Sequence, residues 1–283
     1  MKHAYLILAH TDFTLLRMLL EALDDERNDI FIHFDQKVNE IPSLALKKAK
    51  LFILEERIDV CWGDLSVTEA ELLLFDEALK TGKYTYLHLL SGADLPLKSQ
   101  DEIHTFFNKH QGKEFIGFSQ YDYDEEVDRK VRRIHLFPKE FRSSSIFIRA
   151  IRATFLRFQF LLGYRRNRHV DFKKGTQWVS ITPEFAKYVI SKKEEIRKLY
   201  HHTFCSDEIF IQTICWNSGF RKCIFDLNNE GRGCMRMIGW KHGRIWDWTE
   251  DDYPELMQSE AMFARKFNSQ HIVSLQTQLE KIW

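Results

Sequence analysis

An α/β fold, with an open, mostly parallel sheet flanked by helices, follows from three features of the 283-residue sequence. Short, wholly apolar runs recur, as strands buried on both faces require. Amphipathic segments with apolar residues at three-four spacing alternate with them. The first strand, helix and strand fall within about thirty-five residues, the spacing of a βαβ unit.

The elements follow in order. Residues 4–9 read as a buried strand that ends in the polar loop His10-Thr11-Asp12, where Asp12 can cap a helix over 13–23. Residues 29–35 form the next strand, ending on Asp35; short strands are expected at 51–53 and 58–61. A long helix over 67–80 leads to a strand at 84–90 and a turn from Ser91 through Asp94 to Pro96. A helix over 99–110 and a strand over 115–118 complete the first half. No linker, repeat or low-complexity segment interrupts the chain, so one domain is expected, 1–118 binding a nucleotide and 119–283 an acceptor and a diphosphate.

Composition excludes several classes. Lysine plus arginine equals aspartate plus glutamate at 41 each, which gives no sign of a nucleic-acid partner. The five cysteines lack C-x-x-C spacing and are odd in number, against a disulfide framework or a zinc site. No run is long enough to span a membrane and no leader is evident, so a cytoplasmic protein is expected. Glycine-rich dinucleotide and P-loop motifs are absent.

Candidate chemistry lies at a few places. In open α/β sheets ligands bind at the carboxyl ends of strands, where Ala9, His10 and Asp35 fall. Asp207 and Glu208 follow Ser206, which can cap a helix holding Glu208 in its first turn among apolar neighbours. Such surroundings raise a carboxylate towards a working base, although acidic residues also suit a helix N-terminus by charge alone. Arg265 and Lys266 stand between apolar residues and suit a diphosphate, or are ordinary surface cations. Trp178 offers a sugar-stacking face or a core side chain. Asp122-Tyr123-Asp124 has the form of a metal-holding D-x-D, set in an acidic run that can equally be solvated. Residues 147–168 place six arginines among Phe, Ile and Leu, a pattern for an anionic membrane surface or for a helix packed on the core.

The blocks A-Y-L-I-L-A-H, F-I-H-F-D, W-G-D-L-S-V-T-E-A-E, L-L-S-G-A-D-L-P-L, G-T-Q-W-V-S-I-T, C-S-D-E-I-F and M-F-A-R-K-F, in this order from residue 4 to 267, resemble the core-2/I-branching enzyme family. That resemblance implies a GT-A-type fold and an inverting, metal-independent transferase with no cofactor beyond its UDP-sugar donor. It implies Glu208 as the catalytic base and Lys266 on the UDP diphosphate, with Arg244, Arg265, His10, Asp35, Ala9 and Ser66 around the nucleotide. Asp94, Trp178, Asp207 and Trp240 would line the sugar and acceptor site. Golgi members carry an anchor, a stem and disulfides that find no counterpart here. A compact bacterial member is therefore expected, acting on surface polysaccharide or lipid-linked precursors, in the cytoplasm or peripheral on the inner membrane face. N-acetylglucosamine is the first donor expected, ahead of xylose, glucose and galactose. A metal-dependent D-x-D transferase, a non-catalytic sugar- or nucleotide-binding protein and a membrane-surface scaffold are the rivals.

Overall fold

A computed structural model describes residues 1–121, 124–241, 243–272 and 277–283. Its strands are β1 (His3–Ala9), β2 (Asn28–Phe34), β3 (Lys50–Ile53), β4 (Tyr86–Ser91), β5 (Asp94–Pro96), β6 (Ser180–Ile181), β7 (Arg236–Ile238), β8 (Trp240–Lys241), β9 (Arg244–Ile245) and β10 (Phe263–Arg265). The central sheet has the order β3-β2-β1-β4-β6. Its first four strands are parallel and β6 is antiparallel, the mostly parallel sheet that the apolar runs predict.

The alternation of side chains explains why β1 is apolar throughout. Tyr5, Ile7 and Ala9 face one core, with Ile30, Ile32 and Phe34 of β2. Ala4 and Leu6 face the other, with Phe31, Leu87 and Leu89. Helix α1 (Phe13–Ala22) covers the first face, and α2 (Leu65–Thr81) the second. Asp12 caps α1 as expected, accepting from the Leu15 N–H at 3.2 Å. Helix α3 (Gln100–Lys109) starts with a reciprocal Ser99–Glu102 capping box.

Two expected strands are not formed. Residues 58–61 run past the end of β2 with one backbone bond, from Gln36 N–H to the Ile58 carbonyl, and no ladder. Residues 115–118 make only the bridge from Phe115 to Ser180. Residues 115–118 are buried and 58–61 half-buried, in each case without a neighbouring strand to complete the pairing. The helix expected at Ser206 also differs, as described below.

Further helices are α4 (Asp124–Val131), α5 (Ile146–Leu161), α6 (Pro183–Ser191), α7 (Lys193–Tyr200) and α8 (Phe210–Trp216). Of the sixteen residues of α5 only Gln159 is buried, so core packing does not account for its apolar stripe. All five cysteines are free. Among the described residues no helix is long and apolar enough to cross a membrane.

Candidate active site

The turn that carries Glu208 is built from long-range contacts. Cys205 takes a left-handed conformation and Ser206–Glu208 form a single 3-10 turn. Ser206 is therefore not a helix cap: its hydroxyl bonds that of Thr68 on α2 at 2.9 Å. Ile209, at φ −132°, interrupts the chain before α8 begins, so Glu208 precedes the helix instead of lying in its first turn. Buried Ile209 and Phe210 anchor the far side. The Gly175 N–H donates to the Glu208 carbonyl at 2.9 Å. A side chain at Gly175 would collide with the Gly117 carbonyl, 1.9 Å from an added Cβ, so only glycine lets these segments meet.

The surroundings of Glu208 are charged, not apolar. Lys130 Nζ donates to Glu208 Oε2 at 2.7 Å and lies 2.8 Å from Glu126 Oε1. Lys174 lies 3.2 Å from Glu126 and 3.9 Å from Glu208. Burial works against the Lys130 charge, yet the Glu208 carboxylate and then its other neighbours hold the ammonium above its ordinary value. Glu208 Oε1 accepts no bond from a described residue, and the side chain is 37% exposed.

The carboxyl moved by its surroundings is Asp207. Burial, reinforced by the charge of Glu208, pushes it up to about 7. Fully buried Glu71 on α2 is also pushed upward, by burial first and Asp207 second, while Gln177 donates to its Oε1 at 2.6 Å. Asp207 Oδ1 and Glu71 Oε2 are buried without a hydrogen-bond partner among the described residues. Two groups that share such a place hold protons more readily than free carboxylates.

A second cluster forms where β1 and β2 end. The Asp35 N–H donates to the Ala9 carbonyl at 2.9 Å, and Lys37 lies 3.1 Å from Asp35. Burial lowers the His10 imidazole, Asp35 opposes that shift, and Arg265, Lys266 and Lys37 add to it, so these charges are neighbours. β10 brings the two cations there by pairing with β5 and β7 while Phe263, Ala264 and Phe267 are buried around them. The Trp248 N–H and its indole N–H bond the Lys266 and Arg265 carbonyls, each at 2.8 Å. Lys266 is 43% exposed and its nearest acid, Asp247, is 3.6 Å away.

Arg265 links the two clusters. Its guanidinium donates to Ser91 Oγ and to Asp94 Oδ1, the latter at 2.7 Å, and lies 4.4 Å above the Trp178 ring. Trp178 belongs to the segment that begins at Lys174 and Gly175, beside Glu208.

Several expected contacts stand differently. Trp178 is buried and its ring carries Arg265, so it is no open sugar platform; packing by the cation decides this. Asp94 holds the Ser91 turn and Arg265. The Ser66 hydroxyl is engaged by the Cys61 backbone. Arg244 and Trp240 are exposed on the β8–β9 hairpin, and no described contact joins Arg244 to Lys266. In the D-x-D, Asp122 and Tyr123 lie outside the described residues; Asp124 opens α4. Among the described residues no group of three or more His, Cys, Asp or Glu is arranged to hold a metal ion. Sequence reasoning missed Lys130, Lys174, Glu126 and Glu71. The four-residue spacing of Glu126 and Lys130 is a helix-pair signal, but their target, Glu208, is 78 positions from Lys130.

Comparison with known proteins bears on this arrangement. A family model described as Core-2/I-Branching enzyme matches residues 3–273. Xylosyltransferase 2 of Rattus norvegicus is 24% identical over 290 aligned positions, covering 94% of this chain and 32% of its own length. Xylosyltransferase oxt of Drosophila pseudoobscura pseudoobscura is 23% identical, covering 88% and 29%. The chain thus spans about a third of the length of these curated relatives. The crystal structure of mouse xyloside xylosyltransferase 1, apo form, is a remote likeness at TM-score 0.41 and 11% identity, over 96% of this chain and 99% of that one. With the family model matched across nearly its whole length, the chain belongs to the core-2/I-branching enzyme family.

Proposed function

We propose that this protein transfers a sugar from a UDP-sugar to a hydroxyl of a glycan or lipid-linked oligosaccharide, with inversion at the anomeric carbon and without a metal. The observation that carries the reading is Glu208 itself. One carboxylate oxygen is fixed by Lys130, the other accepts no bond from a described residue, and the turn is joined through Trp178 and Arg265 to cations at the strand ends.

The acceptor oxygen forms its bond to the anomeric carbon as the bond from that carbon to the diphosphate breaks. The hydroxyl proton passes to Glu208 Oε1, and the departing electron pair stays on UDP. Lys266 takes up the developing phosphate charge, with Arg244 on the neighbouring hairpin as the second cation. In this reading fixed side chains fill the role that a metal has in D-x-D enzymes. An α-linked donor then gives a β-linked product. N-acetylglucosamine is the first donor to test, with xylose, glucose and galactose behind it; that relatives are named xylosyltransferases supports including xylose in the panel. Synthesis of surface polysaccharide at the cytoplasmic face is the setting that suits a lipid-linked acceptor.

A thermal-shift panel of UDP and UDP-sugars, run in EDTA and again with Mn²⁺, tests the reading, because a ligand of the folded state raises the melting temperature by mass action. A rise that survives EDTA is expected, largest for the true donor. A rise only with Mn²⁺ would overturn metal independence. No rise with any uridine nucleotide would overturn the donor class.

A further inference from the structure

Helix α5 (Ile146–Leu161) presents an apolar face that no described residue covers. Its inner side is half-buried Ile148, Arg152, Phe155 and Leu156, with Gln159 beneath. Its outer stripe runs Phe147, Ile151, Phe158 and Leu161, spaced by four, seven and three residues, and continues to the C-cap Leu162, with Phe147 82% and Leu161 85% exposed. Such a stripe on a single helix is more than scattered surface apolar residues.

Charge identifies what fits it. The chain has no net charge, yet residues 139–169 contain eight Lys and Arg and one acid, Glu140. Some of these cations are engaged within the protein: Arg165 lies 2.5 Å from Asp128, and Arg152 bonds the Glu140 carbonyl at 3.1 Å. The guanidinium groups of exposed Arg149 and Arg157 have no partner among the described residues. The outer face therefore offers apolar side chains flanked by free cations, with no acid to match a basic partner. A second copy would set like charges against one another. An anionic bilayer needs depth and opposite charge but no matched shape.

We propose that α5 lies flat on an anionic lipid surface, its outer stripe in the acyl boundary and Arg149 and Arg157 among the headgroups. At sixteen residues the helix is about 24 Å long, and it lies in the plane of the surface. The docking is stiffly connected to the candidate active site. Gln159 bonds both the N–H and the carbonyl of Ile134, each at 2.8 Å, three residues beyond the end of α4, which holds Lys130 against Glu208. The surface that holds α5 would thus hold the Glu208 side of the molecule near lipid.

Co-sedimentation of the full chain with vesicles tests this, using phosphatidylcholine alone and phosphatidylcholine enriched in phosphatidylglycerol. Binding to the anionic vesicles is expected, reduced by salt and by phosphatidylcholine alone. The pair Phe158→Ser and Leu161→Ser, and separately Arg149→Gln with Arg157→Gln, should each weaken it at least about tenfold. All four positions are exposed, so the melting temperature and any UDP-induced shift should stay as in the parent protein. No binding to anionic vesicles, or binding that ignores both pairs, overturns the proposal. A lipid-free dimer dispersed by Phe158→Ser and Leu161→Ser would assign the stripe to a second copy and overturn it too. Because nucleotide binding is read separately, failure here and failure of the transferase reading are distinguishable.

Discussion

Around Glu208 the nearby cations are already bound to carboxylates, whereas Lys266 faces solvent with one acid at 3.6 Å. The first region is a closed network: Lys130 is 7% exposed and bridges Glu126 and Glu208. The second gathers His10, Arg265, Lys266 and Lys37 where two parallel strands stop. A closed network holds a side chain in one place; an exposed cation such as Lys266, with its acid at 3.6 Å, is open to an anion from solution. Under the proposed function, the same charge types would serve orientation at one end and ligand capture at the other.

The largest test of this contrast is Glu208→Gln. It should lower transfer by roughly 10²–10⁴-fold, the usual contribution of a positioned base, while the UDP-induced thermal shift persists. Turnover at the parent rate would remove Glu208 from the role. Lys266→Ala should act on the other side only, weakening UDP about tenfold or more, as loss of a charged hydrogen bond does. Isothermal titration with UDP measures it, and unchanged affinity would place the diphosphate elsewhere.

The smallest expected effect concerns Asp207. Its folded-state value of about 7 lies above its ordinary 3.8, so the folded chain keeps a proton that the unfolded chain has lost between those values. Its contribution to stability therefore falls as pH rises from about 4 to about 7 and is level above that. Asp207→Asn should raise the melting temperature by a few degrees at pH 8 and by almost nothing at pH 4. Equal shifts at both values would mean that burial of the charge is not the cause.

Legibility from the sequence followed the range of the contacts involved. β1 and β2 are recognisable because both faces are buried and every residue reports it. Asp12 and Ser99 are readable as caps because a cap bonds three residues away. Residues 115–118 mislead because apolar content shows burial and not pairing, and 58–61 because a short apolar run can stay half-buried outside any sheet. The Glu208 turn was located by its acidic pair and by family resemblance, but its surroundings were misjudged. Thr68, Lys130 and Gly175 reach it across the fold, and no local pattern announces them. The stripe of α5 was visible as a pattern, while its exposure required the packing of Gln159 to be seen.

The contact of Gly175 with Gly117 also limits how this protein could be rebuilt. Three stretches far apart in sequence, around Gly117, from Lys174 to Trp178 and around Ser206 to Glu208, interlock with no room for one more carbon atom. A chimaera that exchanges one of them for a relative's segment with a bulkier residue at Gly175 would collide with its neighbours. The three must be transplanted together, as one unit.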